Sequence, residues 1–540
     1  AALRTRDSMS AIGSVMVMVV TVPFLVTVPL PPGDLSRSGR LRSVFGRVFR
    51  VVSRGLLTLP MLNSVGRSPP PLHAVRILAG GLQQSWMFKC TSRLEHAEHS
   101  AHKSDRITYL LNPPAPNCLS TTPHRPTLQP MTDPLQTLLA AVHQTRAARE
   151  DLYVWFHQHP ELSMQEDITA DRIRQRLDEL GISWSAVGHT GTVCVLDNGT
   201  GPVVALRGDI DALPVRESSG KEYASTAVQV DEQTGGEVPT MHACGHDFHI
   251  TALLGALEAF HTYRDTWSGT LVGVFQPGEE TAAGARAMVD DGIGSAIPTP
   301  DVYLGQHVLP ALPTGTVGTR LGPVMSKAFS GRITVWGKGT HGSMPEKGVD
   351  PVLLAANIIT RLHTVVSREI AAKETVVLTV SSVHAGTKAN VIPDSAEMLI
   401  NTRAYSTETS DYLRAAIERV VRAECTAARS PRAPEFEYFD EFPLTDNDAS
   451  VTARVRKAFD AHFGSDATDL DQIPASEDFS IIPDALGVPY CYWGLGGFKD
   501  WEDAPGNHSP TFAPDLQPTL DRGTEAMIVA AAAWLVEGAR

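Results

Sequence analysis

The sequence predicts an α/β domain interrupted by a smaller α+β unit, and three observations carry that prediction. Short apolar strands bounded by glycine alternate with amphipathic helical stretches from about residue 134 onward. A segment from about 324 to 438 breaks the alternation with the order strand, helix, strand, strand, helix. That order suits an antiparallel sheet with helices on one face. Residues 1–130 follow neither pattern.

Leu138, Val142, Leu152 and Phe156, then Ile168, Ile173, Leu177 and Leu180, recur at three- and four-residue steps. They predict helices across 134–180, with Gly181 stopping the last. Strands follow at 192–196 and 203–206. A helix at 250–260, a strand at 271–275 and a helix at about 282–290 continue the alternation. Sheets of this kind carry helices on both faces and bind ligands at the carboxyl ends of their strands. The inserted unit has strands at 328–336, 375–384 and 397–404, and helices at 351–367 and 409–428. A helix at 449–463, a loop at 474–479, a strand at 488–493 and a helix at about 521–537 then complete the larger domain. The plan is therefore one domain in two parts, 131–323 and 439–540, around an insert at 324–438.

Apolar residues make up 42% and charged residues 20%, the balance of a chain that buries real cores. Lys plus Arg number 46 against 60 Asp plus Glu, and the net charge of −14 argues against nucleic acid as a partner. The six cysteines show no disulfide-framework spacing, so a reducing compartment, the cytoplasm, is expected. Residues 1–130 are rich in Arg, Pro and Ser, with runs such as Ser68-Pro69-Pro70-Pro71, and are expected to be mostly disordered. The stretch 11–30 is long enough for a membrane anchor, but Pro23 interrupts it and no clear cleavage site follows. Met131-Thr132-Asp133 reads as a protein start, so the leader is taken as a mis-called start in preference to an anchor.

Four loops can carry chemistry. In Met241-His242-Ala243-Cys244-Gly245-His246-Asp247-Phe248-His249, Cys244 and His246 lie two apart and would face one side of an extended loop. Thiolate and imidazole suit zinc, nickel, cobalt or manganese. A buried cysteine beside surface histidines is the plainer alternative, and the three flanking histidines favour metal. Phe275-Gln276-Pro277-Gly278-Glu279-Glu280 sits at a strand end, and its two carboxylates are expected to point in different directions. One could bind metal while the other takes a proton from water; alone, the pair reads as a solvated acidic turn before a helix. His307 follows the apolar strand 302–304, and His508 lies in Gly506-Asn507-His508-Ser509-Pro510; each alone reads as structural. Together Cys244, His246, Glu280, His307 and His508 offer five ligands, more than a closed four-coordinate site uses, and fit two metals. His157, His159, His242 and His249 are read as packing or as support for a ligand. Glu477 and Asp478 are read as structural in preference to substrate-binding.

The motifs run in a set order: His157-Gln158-His159-Pro160-Glu161-Leu162, Leu206-Arg207-Gly208-Asp209-Ile210-Asp211-Ala212-Leu213-Pro214, the Cys244 and Glu279 loops, Gly339-Thr340-His341-Gly342-Ser343-Met344-Pro345, Ala389-Asn390-Val391-Ile392-Pro393-Asp394, Ser476-Glu477-Asp478-Phe479 and the His508 loop. From Asp133 to the C-terminus this set resembles the aminoacylase/carboxypeptidase superfamily of metal-dependent amidohydrolases, in the branch of hippurate hydrolase and indole-acetic-acid–amino-acid hydrolases. The resemblance implies an α/β zinc-peptidase-like metallohydrolase domain with an inserted α+β lid and dimerisation domain, two divalent metal ions and a homodimer. It implies that Cys244, His246, Glu280, His307 and His508 are metal ligands, Glu279 the general base and Asp211 a carboxylate supporting a ligand. His341, reaching over from the partner subunit's lid, would steady the oxyanion, and Asn390 and Arg403 would hold substrate. Asp209 stands where sister branches place a histidine ligand, and Phe248 replaces the commoner glycine after Gly-His-Asp. The implied reaction converts N-acyl amino acids to a carboxylic acid and an amino acid, acting on linear amides other than peptide bonds. A dipeptidase or carboxypeptidase of the same superfamily, or an inactivated binding or scaffold protein, are the alternatives.

Overall fold

Three helices open the described chain: α1 (Pro134–Gln144), α2 (Arg146–Gln158) and α3 (Asp167–Leu180). The computed structural model describes residues 133–537, so the expected leader and its apolar stretch 11–30 lie outside the described residues. Asp133 caps α1 by accepting the Leu135 N–H, and Pro134 occupies the first turn, where its missing N–H has no partner to lose. Gly181 ends α3 in the left-handed conformation, φ 73°.

The chain continues through β1 (Trp184–Ala186), β2 (Thr192–Asn198), β3 (Val203–Asp209), α4 (His246–Thr262), β4 (Gly269–Gln276), α5 (Gly284–Asp290), α6 (Ile293–Ala296), β5 (Val302–Pro313) and β6 (Val317–Thr319). The insert supplies β7 (Lys327–Trp336), β8 (Thr340–His341), α7 (Pro351–Arg368), β9 (Val376–His384), β10 (Val391–Ile392), β11 (Ser395–Ala404), α8 (Thr407–Ala427) and β12 (Glu435–Phe442). Then come α9 (Ala449–Phe463), β13 (Ala467–Asp469), α10 (Ile481–Leu486), β14 (Tyr490–Phe498) and α11 (Leu516–Leu535).

Eight strands form one sheet in the order β1-β2-β4-β3-β5-β14-β6-β13. The four central strands, β4, β3, β5 and β14, run parallel. Alternate residues face opposite cores. Val204 and Leu206 of β3, with Leu271 and Phe275 of β4, pack with Leu138, Leu253 and Met527 of α1, α4 and α11. Ala205, Val272 and Val274 pack with Met288, Ile293 and Ile482 of α5, α6 and α10. Both faces are therefore covered, as parallel strands require. Helix α4 has 14 of its 17 residues buried, so it lies inside the domain and carries its first turn into the interior.

The insert is a four-stranded antiparallel sheet, β9-β11-β7-β12. One face of it (Phe329, Ile333, Met398) packs with Leu354, Ile358 and Leu362 of α7 and Ile417 of α8. Strand β12 has no counterpart in the sequence expectations. Its Glu435-Phe436-Glu437-Tyr438 run is rich in acid, yet Phe436 and Tyr438 lie under the Arg422 and Arg414 guanidiniums at 4.9 and 4.3 Å. Among the described residues no helix is long and apolar enough to cross a membrane.

Candidate metal centre

The carboxyl ends of the parallel strands deliver the candidate residues. Asp209 ends β3 and Asp211 follows it, Glu279 and Glu280 follow β4, and His307 lies within β5. Cys244 and His246 do not share an extended loop, as the sequence suggested. Gly245 between them is left-handed, φ 83°, and a Cβ there would lie 2.3 Å from Val308 Cγ1, so only glycine fits. The turn leaves Cys244 in the loop and makes His246 the first residue of α4. The two side chains still converge, because the turn folds them back onto His307.

Among the described residues five sets of potential ligand atoms form, each within 4.8 Å of one another, and three of them join the expected ligands: Cys244, His246 and His307; Cys244, Glu280 and His508; His246, Glu279 and Glu280. Cys244 Sγ is 3.4 Å from His307 Nε2, and His508 Nε2 is 3.2 Å from Glu280 Oε2. Cys244, His246 and Glu280 each belong to two of these three sets, so the sets adjoin one another.

The surroundings aim the ligand atoms. His246 Nδ1 meets the Asp211 carbonyl at 2.9 Å and Asp211 Oδ1 at 3.1 Å, which assigns its proton to Nδ1 and leaves the Nε2 lone pair facing the cluster. His307 Nδ1 meets the Val308 carbonyl at 2.7 Å, with the same consequence. His246 Nε2 and Glu280 Oε1 are buried without a hydrogen-bond partner. Buried polar atoms are almost always paired, so these two orphans fit divalent cations. Asp211 Oδ2 also accepts the Glu280 N–H at 3.0 Å and the Ser163 hydroxyl at 2.6 Å.

The adjacent carboxylates do not diverge as expected. Glu279 Oε2 and Glu280 Oε1 both lie 4.0 Å from His246 Nε2. Their outer sides part: Glu280 turns to His508, and Glu279 to Glu477 and Asp478. Burial, then the charges of Glu477 and Glu280, hold the Glu279 carboxyl well above the usual carboxylate range. Burial, then the charges of Glu280 and Glu279, push the Cys244 thiol up as well, an effect that a coordinated cation reverses.

Beneath this cluster lies a network the sequence reading missed. Arg207, fully buried, donates to Gln276 Oε1 (3.0 Å), Asp209 Oδ2 (2.5 Å), Glu477 Oε1 (2.8 Å) and Asp478 Oδ1 (3.2 Å). Asp209 Oδ1 bonds His249 Nδ1, and His249 Nε2 accepts the Val308 N–H at 2.9 Å. Both His249 nitrogens are thus engaged, which suits support of the His307 strand. The available signal was an arginine at the end of an otherwise apolar strand. Phe248 packs against Tyr153 with ring centroids 4.4 Å apart and planes tilted by 49°.

The insert residues separate into two places. Arg403 and Glu280 line one cavity of about 410 Å³, with Met164, Ser330, Asn401 and Phe442. Arg403 donates to Ser476 Oγ at 2.7 Å. His341 and Asn390 lie together at an exposed tip, where the Gly342 N–H reaches the Asn390 carbonyl at 2.8 Å and β8 pairs with β10. The His341 ring meets Ser343 Oγ at 2.7 Å and belongs to none of the ligand sets.

The model of peptidase family M20/M25/M40 matches residues 205–532. N-acetylcysteine deacetylase of Bacillus subtilis is 35% identical over 66% of this chain and 90% of its own length. IAA-amino acid hydrolase ILR1-like 4 of Arabidopsis thaliana is 32% identical over 68% and 83%. The crystal structure of the Bacillus subtilis YXEP protein, a dinuclear metal binding peptidase, superposes with a TM-score of 0.59 at 30% identity, covering 73% of this chain and 98% of that one. The chain belongs to peptidase family M20/M25/M40.

Proposed function

We propose that the chain is a two-metal amidohydrolase that cleaves N-acyl amino acids to a carboxylic acid and an amino acid, in preference to peptides. The reading rests on the convergence of Cys244, His246, Glu280, His307 and His508 with Glu279 beside them. The deacetylase and IAA-amino acid hydrolase among its relatives support this substrate class. The five ligands would hold two divalent cations, and their mixed thiolate, imidazole and carboxylate chemistry admits zinc, manganese, nickel or cobalt. When bound, the cations supply Lewis-acid polarisation of the amide carbonyl and acidify water. Glu279 takes the proton of the attacking water and returns it to the departing amine nitrogen. Asp211 keeps the His246 proton on Nδ1. Arg403, on the cavity wall, offers a two-pronged partner to the carboxylate of the amino-acid half. His341 and Asn390 serve the site of a second copy in a homodimer, where His341 steadies the oxyanion.

The test is a panel of acetyl-, benzoyl- and indole-acetyl-amino acids beside dipeptides, run on metal-restored protein. Acyl amino acids turn over faster than dipeptides; the reverse order supports the peptidase alternative. Glu279→Gln keeps its metal and loses at least about 10²-fold in kcat. Cys244→Ala loses metal by elemental analysis. Near-normal turnover in the first variant, or unchanged metal content in the second, removes those assignments.

A further inference from the structure

The motif His157-Gln158-His159-Pro160-Glu161-Leu162 runs into a buried carboxylate, Glu166, that the reaction above does not use. Glu166 occupies the N-cap position of α3 yet makes no cap bond there. Glu161 does that work, accepting the Ile168 N–H (3.2 Å), the Thr169 N–H (2.7 Å) and the Thr169 hydroxyl (2.8 Å). The Glu166 side chain turns inward, fully buried. Its Oε1 accepts the Met164 N–H (2.8 Å) and the Gly278 N–H (2.8 Å), and its Oε2 accepts the Thr190 hydroxyl (2.6 Å). All three donors are neutral. A buried carboxylate held only by neutral donors keeps much of its desolvation cost, so helix stability does not account for its presence.

Gly278 is the last residue before Glu279. It is left-handed, φ 55°, and a Cβ there would meet Met164 Sδ at 2.5 Å. Its carbonyl is held from the far side by the Ala283 and Gly284 N–H groups at 3.2 and 3.1 Å. Its N–H is held from outside the turn, by Glu166. The same short segment also donates the Ser163 hydroxyl to Asp211 Oδ2 at 2.6 Å.

We propose that Glu166 is a positioning residue that sets the place of the Glu279 carboxyl by holding the Gly278 N–H. The proposal rests on the reading of Glu279 as the proton carrier. Glu166 acts by the reach of its acceptor oxygens. Glutamine has the same reach: its amide oxygen can accept both backbone N–H groups while its NH₂ donates to the Thr190 hydroxyl oxygen. Aspartate keeps the charge but falls short by one carbon–carbon bond.

The experiment measures kcat, KM and metal content of Glu166→Gln and Glu166→Asp with the fastest N-acyl amino acid of the panel, beside Glu279→Gln. Displacement of a reacting group by about 1 Å costs on the order of 10²-fold. Glu166→Asp therefore loses about 10- to 100-fold in kcat, with KM within about twofold and metal content unchanged. Glu166→Gln stays within about threefold of the parent. A group acting through charge or proton transfer gives the opposite order, and that order overturns the proposal. So does full kcat in Glu166→Asp. Should Glu279→Gln remain active, the assignment of the base fails instead, whatever the order at Glu166. Both Glu166 variants retain a polar side chain at the site, and their Tm reports whether either has lost its fold.

Discussion

His157→Gln gives a stability test at a distance from the ligand atoms. The His157 ring is 1% exposed, with Nδ1 at 2.7 Å from Asp247 Oδ2 and Nε2 at 3.1 Å from Glu217 Oε1. Burial opposes the charged ring, but the hydrogen bonds and charges of Asp247 and Glu217 together outweigh it and raise the pKa from 6.5 to about 9. A shift of roughly 2.5 units corresponds to about 3 kcal/mol of preference for the protonated ring in the folded protein. Because the folded pKa lies above the unfolded one, this contribution is fully present below about pH 6.5 and is lost as pH rises through about 9. Between those values the folded protein holds one proton more than the unfolded chain, and stability falls by up to about 1.4 kcal/mol per pH unit. Glutamine fills the space and keeps a donor but cannot carry the charge. Urea unfolding of both proteins at pH 6, 7.5 and 9.5 should show a gap that narrows by about 3 kcal/mol across the series, and other titrations cancel in the difference. A gap that stays constant with pH refutes a charged His157 between two carboxylates.

Arg207→Met leaves Asp209, Glu477 and Asp478 buried without their shared cation, and should cost about 3–5 kcal/mol by urea unfolding; a loss below about 1 kcal/mol contradicts the network. Mixing His341→Ala chains with Glu279→Gln chains should restore activity, because one site of each mixed dimer then combines an intact Glu279 with an intact His341 from its partner. No recovery on mixing counts against a site shared between copies.

What the sequence made legible was whatever repeats along the chain. The period of α1 to α3 and the glycine-bounded strands match, the five elements expected in the insert appear in their order with β8, β10 and β12 added, and helix α9 (Ala449–Phe463) has the expected bounds. The candidate cluster was legible for a related reason: strand ends in an α/β sheet meet at one edge, so Glu280 and His307, each structural when read alone, gained weight beside Cys244, His246 and His508. Side-chain direction within turns was not legible. Cys244 and His246 face each other through a left-handed glycine, and Glu279 and Glu280 face one histidine. The partners of His157 lie 60 and 90 positions away, and Glu166 reaches across 112 positions to Gly278. No local period encodes such contacts, so a histidine on an apolar helix face reads as packing until the fold brings carboxylates to both of its nitrogens.

The route by which the insert leaves the larger domain bears on how the cavity works. Both crossings run side by side as a short antiparallel ribbon, Gly322–Met325 against Thr445–Asn447. Asn447 roots it by donating to the carbonyls of Tyr492 and Arg320 at 2.8 and 2.9 Å. The ribbon emerges beside β6 and β13, at the edge of the large sheet, where β6 shares only two residue pairs with β14. The central strands that carry Asp209, Glu279, Glu280 and His307 lie on the other side of β14. Ser330, Asn401 and Arg403 thus enter the cavity from the part of the insert nearest the ribbon, where Ala328 pairs with Arg403 and Ser330 with Asn401. The Arg403–Ser476 bond lies close to the ribbon, because Ser476 Oγ also meets Ser326 Oγ at 3.0 Å. On the reading proposed above, the arrangement divides two tasks: the insert shapes the wall of the substrate cavity, and the central strands keep the five proposed ligand side chains aligned.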